Sequence, residues 1–203
     1  MRAFDEPLSA APRRVLVAGV TGSGKTTLAA RVGALWSLPH VELDALFHGP
    51  DWTPRPAFLD DVRALASGER WVTEWQYTSK GTDPILAPRA ELALWLDYPY
   101  RVVRARLLRR TLGRSLRRTE LWNGNREKPI WSLLTGDPEE NILRWQTATL
   151  RTWTERMPEV ERRHPHLEIV RLRSPQETRR WLRTQEEASG VSTAPPKRRS
   201  RDR

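Results

Sequence analysis

Apolar residues in this chain fall in short runs that alternate with amphipathic stretches. RRVLVAG (13–19) is β-branched and apolar up to its glycine, the pattern of a short buried strand. Thr26 to Trp36 reads as a helix closed by Ser37 and Pro39. HVELDAL (40–46) predicts a second strand ending on Asp44. In HGPDWTPRP, Thr53 and Pro54 read as N-cap and first residue of a helix running to Ala66. That helix is expected to bury Phe58, Val62 and Leu65 and to end at Gly68. RWVTEW (70–75) and LALWLD (92–97) supply the third and fourth strands, joined by YTSKGTDPILAPRAE with one short helical turn. A helix from Arg101 to Leu112 is interrupted at Gly113, and a second basic stretch follows to Arg118. Helices over 138–156 and 175–187 flank a fifth strand, LEIVRL (167–172). Ser174, Pro175 and Glu177 make a capping box with proline in the first helical position.

Nearly continuous apolar strands alternating with helices indicate a parallel sheet covered on both faces. Ligands of such sheets bind beyond the C-terminal strand ends, which puts Gly19–Thr27, Asp44, Glu74 and Asp97 along one edge. The 203 residues suffice for one domain with a core. With no cysteine, disulfides and thiolate metal sites are excluded. His40, His48, His164 and His166 lack zinc spacing. No apolar run is long enough for a membrane helix, and MRAFDEPLSAAPRR lacks the apolar region of a signal peptide, so a cytoplasmic location is expected. The net charge of +10 is concentrated in two places. One is the tail, residues 188–203, expected to be disordered and a candidate for weak nucleic-acid binding. The other is Arg101–Arg118, which has eight arginines and no acid.

GVTGSGKTT carries the most specific chemistry. Gly19, Gly22, Gly24, Lys25 and Thr26 fit the phosphate-loop pattern G-x-x-x-x-G-K-[ST]. Its glycines let backbone amides approach a phosphate, and the following helix aims its positive end there. Gly19, Thr21, Gly22, Ser23, Gly24, Lys25, Thr26 and Thr27 are therefore the expected ATP-phosphate ligands, with the Thr26 hydroxyl suited to Mg²⁺. Asp44 has two readings, orienting an acceptor hydroxyl or capping a turn. Glu74 is placed for an acid near the metal, or is a strand-end surface acid. Asp97 is either catalytic or satisfies turn amides. Arg109, Arg110, Arg114 and Arg118 are candidates for a lid that neutralises a moving phosphoryl group, while a nucleic-acid backbone is the competing partner for that stripe.

These segments resemble the adenylate-kinase-like P-loop kinases and, more narrowly, the small bacterial DNA topology modulation proteins. The resemblance rests on GVTGSGKTT, LPHVELDALFHGPDW, RWVTEWQYTS, PRAELALWLDYPYRVVRARLLRR and TELWNGNRE, which together span about residues 13–155. It implies an α/β P-loop fold whose five parallel strands are ordered 2-3-1-4-5, with an arginine-rich lid at about 109–135. Residues 13–187 then form the kinase-like domain, preceded by a loose leader, 1–12. It further implies ATP and Mg²⁺ as cofactors, Asp44 facing a small-molecule acceptor, and Arg89 near that acceptor. Glu120, Asn125 and Glu127 fall in a lid-side motif of underived role. Trp75 stands where that family often has glycine. The expected activity is ATP-dependent phosphoryl transfer to a nucleoside monophosphate, nucleoside or metabolite. A nucleic-acid-associated ATPase is the alternative.

Overall fold

The computed structural model describes residues 1–117, 123, 125, 146–147 and 149–190. The strands are β1 (Arg14–Gly19), β2 (His40–Val41), β3 (Trp71–Glu74), β4 (Leu92–Leu96) and β5 (Glu168–Leu172). They form one parallel sheet in the order β2-β3-β1-β4-β5, as expected for a P-loop fold. The central β1 is in register with β3 (Val17 opposite Glu74) and with β4 (Gly19 opposite Leu96). Glu74 therefore ends β3 beside Val17, two residues before Gly19, on the same edge of the sheet.

Period-two alternation sorts the strand residues between two cores. Leu16 and Ala18 of β1 pack toward α3 (Phe58–Ser67) and α6 (Thr152–Arg163), meeting Phe58, Val62, Trp153 and Met157. Val15 and Val17 face the other way, toward α1 (Lys25–Trp36) and α7 (Pro175–Ala188). There Trp36 and Trp181 meet edge to face at 5.9 Å. Trp36, Trp71, Trp75, Trp95, Trp153 and Trp181 are all buried, so most of the described tryptophans serve as core. At the head of α7, Ser174 Oγ accepts from Glu177 N (3.1 Å), and Glu177 accepts from Arg173 N (2.7 Å).

Several boundaries differ from the sequence expectation. The second strand stops at Val41, and Leu43–Phe47 coils into a short helix, α2. This buries Leu43 and turns Asp44, Phe47 and His48 toward a cavity. α3 begins at Phe58 rather than Pro54, because Pro54 and Pro56 lack amide hydrogens and Pro56 disfavours helical geometry at Arg55. Thr53 is accordingly not a cap: its hydroxyl donates to Pro50 O (2.7 Å). Leu65 is only half-buried there. The turn expected between β3 and β4 is α4 (Asp83–Leu86). α5 (Tyr100–Arg117) runs through Gly113 without a break. A lone glycine weakens a helix by about 1 kcal/mol but does not end it. α6 continues past Arg156, through Pro158, to Arg163, while the expected helical residues 138–145 lie outside the described residues.

Arg2, Glu6 and Leu8, among the first twelve residues, bond to the domain. Arg2 N donates to Ile169 O (2.8 Å) beside β5, and its guanidinium pairs with Glu168 at 2.6 Å. Buried Gln185 of α7 bonds Leu8 N (3.0 Å) and Glu6 O (3.3 Å).

Candidate nucleotide and acceptor site

The loop between β1 and α1 is shaped by its glycines. Gly22 (φ 85) and Gly24 (φ 99) are in the left-handed region. A Cβ on Gly22 would sit 2.7 Å from Val103 O and 3.0 Å from Leu107 Cβ, so α5 packs directly on the loop. The loop carbonyls are occupied: Val20 O accepts from Ser23 N within the loop (3.1 Å), while from outside it Gln146 Nε2 donates to Thr21 O (2.6 Å) and Arg106 Nη1 to Ser23 O (2.8 Å). What remains for an anion is amides, including those of the first turn of α1, which have no intrahelical acceptor. Lys25 Nζ lies 3.5 Å from Val20 O. Burial pushes its pKa down to about 8, opposed by the nearby charges of Asp44 and Glu74 and assisted by Arg110.

Glu74, 1% exposed, anchors the β3 side. Its Oε1 meets His40 Nε2 at 3.0 Å, while Oε2 is buried with no hydrogen bond among the described residues. Burial disfavours its charge, but the His40 contact and charge and the nearby Thr26 hydroxyl outweigh this and hold its pKa below the usual value. Burial likewise opposes charge on His40, yet Glu74 wins and raises that pKa. Asp44 accepts a 2.7 Å bond from the Tyr77 hydroxyl, which also contacts His48 Nε2 at 3.1 Å. Burial, then the charge and hydrogen bond of Asp44, push the Tyr77 pKa far up, so Tyr77 remains a neutral donor.

A cavity of about 1310 Å³ connects these groups. One arm, toward β4 and β5, is lined by Tyr98, Arg106, Pro175, Thr178 and Arg179. The other, toward β2 and β3, is lined by Asp44, Phe47, His48, Trp52, Trp75 and Tyr77. Trp75 is fixed by its Nε1 donating to Asp83 (2.8 Å) and by Trp153 at 5.2 Å. Arg156, which pairs with Asp83, lies over Trp153 at 5.0 Å. Trp52 enters from a bend in which Asp51 (φ 54) and Trp52 (φ 60) are both left-handed. Such conformations cost about 1–3 kcal/mol each for non-glycine residues. Asn125, 5% exposed, holds the bend by accepting from Trp52 N (3.1 Å) and donating to Gly49 O (2.8 Å). Asn123 bonds His48 O.

Of the expected site residues, Gly19, Thr21, Gly22, Ser23, Gly24, Lys25, Thr26, Thr27, Asp44 and Arg110 line the cavity. Glu74 lies close to Lys25 and Thr26. Arg89 is exposed in the turn after α4, and Arg109 is exposed on α5; neither lines the cavity. The Arg114 side chain, Arg118, Glu120, Glu127, most of the 109–135 stretch and tail residues 191–203 lie outside the described residues. Asp97 pairs with Arg171 (2.8 Å) and is a strand-to-strand tie. Arg106, Gln146 and the Tyr77–Asp44 bond were not singled out from sequence; helical spacing would have placed Arg106 on the buried face of α5 with Val103 and Leu107.

The residues present fit a phosphate-bound magnesium ion. Mg²⁺ in such sites takes one or two protein oxygens and fills its shell from phosphates and water. The Thr26 hydroxyl and the unpartnered Glu74 Oε2 are suitable donors. Among the described residues no three His, Cys, Asp or Glu side chains gather around a point.

No protein-family model matches the chain, and no curated protein matches it. Solved structures do. Shikimate kinase from Acinetobacter baumannii, in complex with shikimate, is 15% identical with a TM-score of 0.50, covering 89% of this chain and 91% of its own. A sugar kinase from Janibacter sp. HTCC2649 is 24% identical (TM-score 0.46; 90% and 99% covered). A gluconokinase from Sinorhizobium meliloti 1021 is 20% identical (TM-score 0.47; 88% and 94%). The likeness to the shikimate kinase is one of fold, an α/β P-loop architecture with a five-stranded parallel sheet. Among the described residues no helix is long and apolar enough to cross a membrane.

Proposed function

We propose that this protein is an ATP- and Mg²⁺-dependent phosphotransferase that moves a γ-phosphoryl group onto a hydroxyl of a small acceptor. The observation that supports it is the placement of Lys25, Asp44 and Glu74 close enough that their charges act on one another at the end of a phosphate loop. Bound MgATP supplies the phosphoryl group and the metal's charge, with Thr26 and Glu74 as the metal's protein donors. The loop amides and Lys25 hold the phosphates, and Arg110 and Arg106 add positive charge from α5. Asp44 orients the acceptor: Tyr77 donates to one of its oxygens, leaving the other to accept from the hydroxyl. Further cationic help from Arg109, Arg114 and Arg118 belongs to this proposal, as does a lid built from about 109–135. The narrower kinship with DNA topology modulation proteins is proposed on the sequence motifs alone.

The test is ADP release from MgATP across nucleoside monophosphates, nucleosides, sugars and small acids. One acceptor is expected to raise the rate by orders of magnitude, and Lys25→Ala to abolish it with the circular-dichroism spectrum unchanged. Transfer at the normal rate by Lys25→Ala would sink the assignment. Slow hydrolysis that rises only with DNA or RNA would favour the nucleic-acid alternative.

A further inference from the structure

The β2–β3 arm of the cavity is an aromatic surface. Its rings form a contact series: Tyr77 stacks on Phe47 at 4.3 Å, Phe47 meets His48 at 5.0 Å, and His48 meets Trp52 at 5.0 Å. Trp75 and Trp153 line the same cavity. Asp44 provides a carboxylate at the arm's inner end, beside Lys25 and bonded to Tyr77. Cations are scarce there. Among the described residues the arm holds Arg156, which is already paired with Asp83 and lies over Trp153, and Lys80, exposed on the 78–80 turn. A carboxylate or phosphomonoester needs an uncommitted guanidinium or buried ammonium to replace its hydration. An uncharged ring needs faces on which to stack, and each aromatic stack is worth about tenfold in affinity or more.

We propose, resting on the kinase reading above, that the acceptor is an uncharged molecule with a planar ring and a free hydroxyl, of the nucleoside class. Its ring occupies the aromatic arm and its hydroxyl reaches Asp44. Trp52 determines specificity by stacking, and Asn125 is a positioning residue that holds Trp52 in its left-handed bend. In the transfer step the acceptor oxygen bonds to the γ-phosphorus of ATP. The bond from that phosphorus to the bridging oxygen breaks, ADP leaves with the electron pair, and the hydroxyl proton passes to Asp44.

The experiment is calorimetric binding of adenosine, cytidine and thymidine, against AMP, gluconate and shikimate, to the full chain with Mg²⁺ and a non-hydrolysable ATP analogue. At least one nucleoside is expected to bind at least tenfold tighter than every anionic compound. Trp52→Ala should weaken nucleoside binding about tenfold or more and Trp52→Phe should recover most of it, with ATP-analogue affinity within twofold throughout. Asn125→Ala should weaken the nucleoside selectively too, and Asn125→Asp should recover less than wild type because it loses the donor to Gly49 O. Preference for an anionic compound, absence of nucleoside binding, or indifference to Trp52→Ala each overturns the proposal. Nucleoside binding without phosphoryl transfer from ATP overturns the kinase reading and leaves the aromatic site standing.

Discussion

Lys25 carries a charge that its burial disfavours. Burial lowers its pKa to about 8 from the ordinary 10.5, and the phosphates of the proposed nucleotide would restore the charge by pairing with it. Two consequences have opposite signs. Nucleotide binding near pH 8 to 9 should take up a proton, measurable by calorimetry in buffers of different ionisation enthalpy, and affinity should fall toward tenfold per unit as pH rises above 8. In the free protein the unfolded chain keeps the proton up to about 10.5 while the folded chain has released it. This group's contribution therefore makes stability rise with pH between about 8 and 10.5. Lys25→Met should remove both effects. Lys25 stands out as a candidate in the sequence because the phosphate-loop pattern is local: glycine spacing, lysine and hydroxyl all lie within nine residues. Arg106 and Asn125 do not, since each acts on backbone brought close only by folding, Arg106 on Ser23 and Asn125 on Gly49 and Trp52.

At the scale of elements, the phosphate loop and α5 form one packing unit. Gly22→Ala would drive a methyl onto Val103 O and impose a left-handed φ on alanine. A loss of about 2–4 kcal/mol is expected in urea titrations, with nucleotide binding lost alongside. Gly113 is the internal control on the same helix. Among the described residues nothing lies within 4 Å of a Cβ there, so Gly113→Ala should stabilise by about 0.5–1 kcal/mol. Element types were largely readable because the buried parallel strands are mostly apolar and α7 carries its own cap. The misreading at HVELDAL has a physical cause. VELDAL is compatible with either period, and at a sheet edge tertiary burial of Leu43 decides for the helix. Gly113 misled because glycine punctuates only where the backbone must leave helical geometry.

Across the whole molecule, the first residues are bound to the last described helix. Phe4 and Leu8 pack on the core beneath α7, and Gln185 bonds the leader backbone twice. Gln185→Ala should cost about 1–3 kcal/mol and lower Tm by several degrees, with ATP affinity unchanged. Polarity alone made 1–12 read as a leader, because a single arginine in strand-like pairing has no periodicity to reveal it. The alternation of strands and helices indicates a parallel sheet, while the order β2-β3-β1-β4-β5 is expected from the resemblance to P-loop kinases and is the one observed.

The outward capture of the Thr21 and Ser23 carbonyls by Gln146 and Arg106 also bears on kinetics. Peptide planes already held in place have little freedom left to lose when an anion arrives. The phosphate end should then associate without a slow rearrangement, in a single exponential linear in nucleotide concentration, whereas Gln146→Ala should introduce a concentration-independent phase as the loop searches for its form.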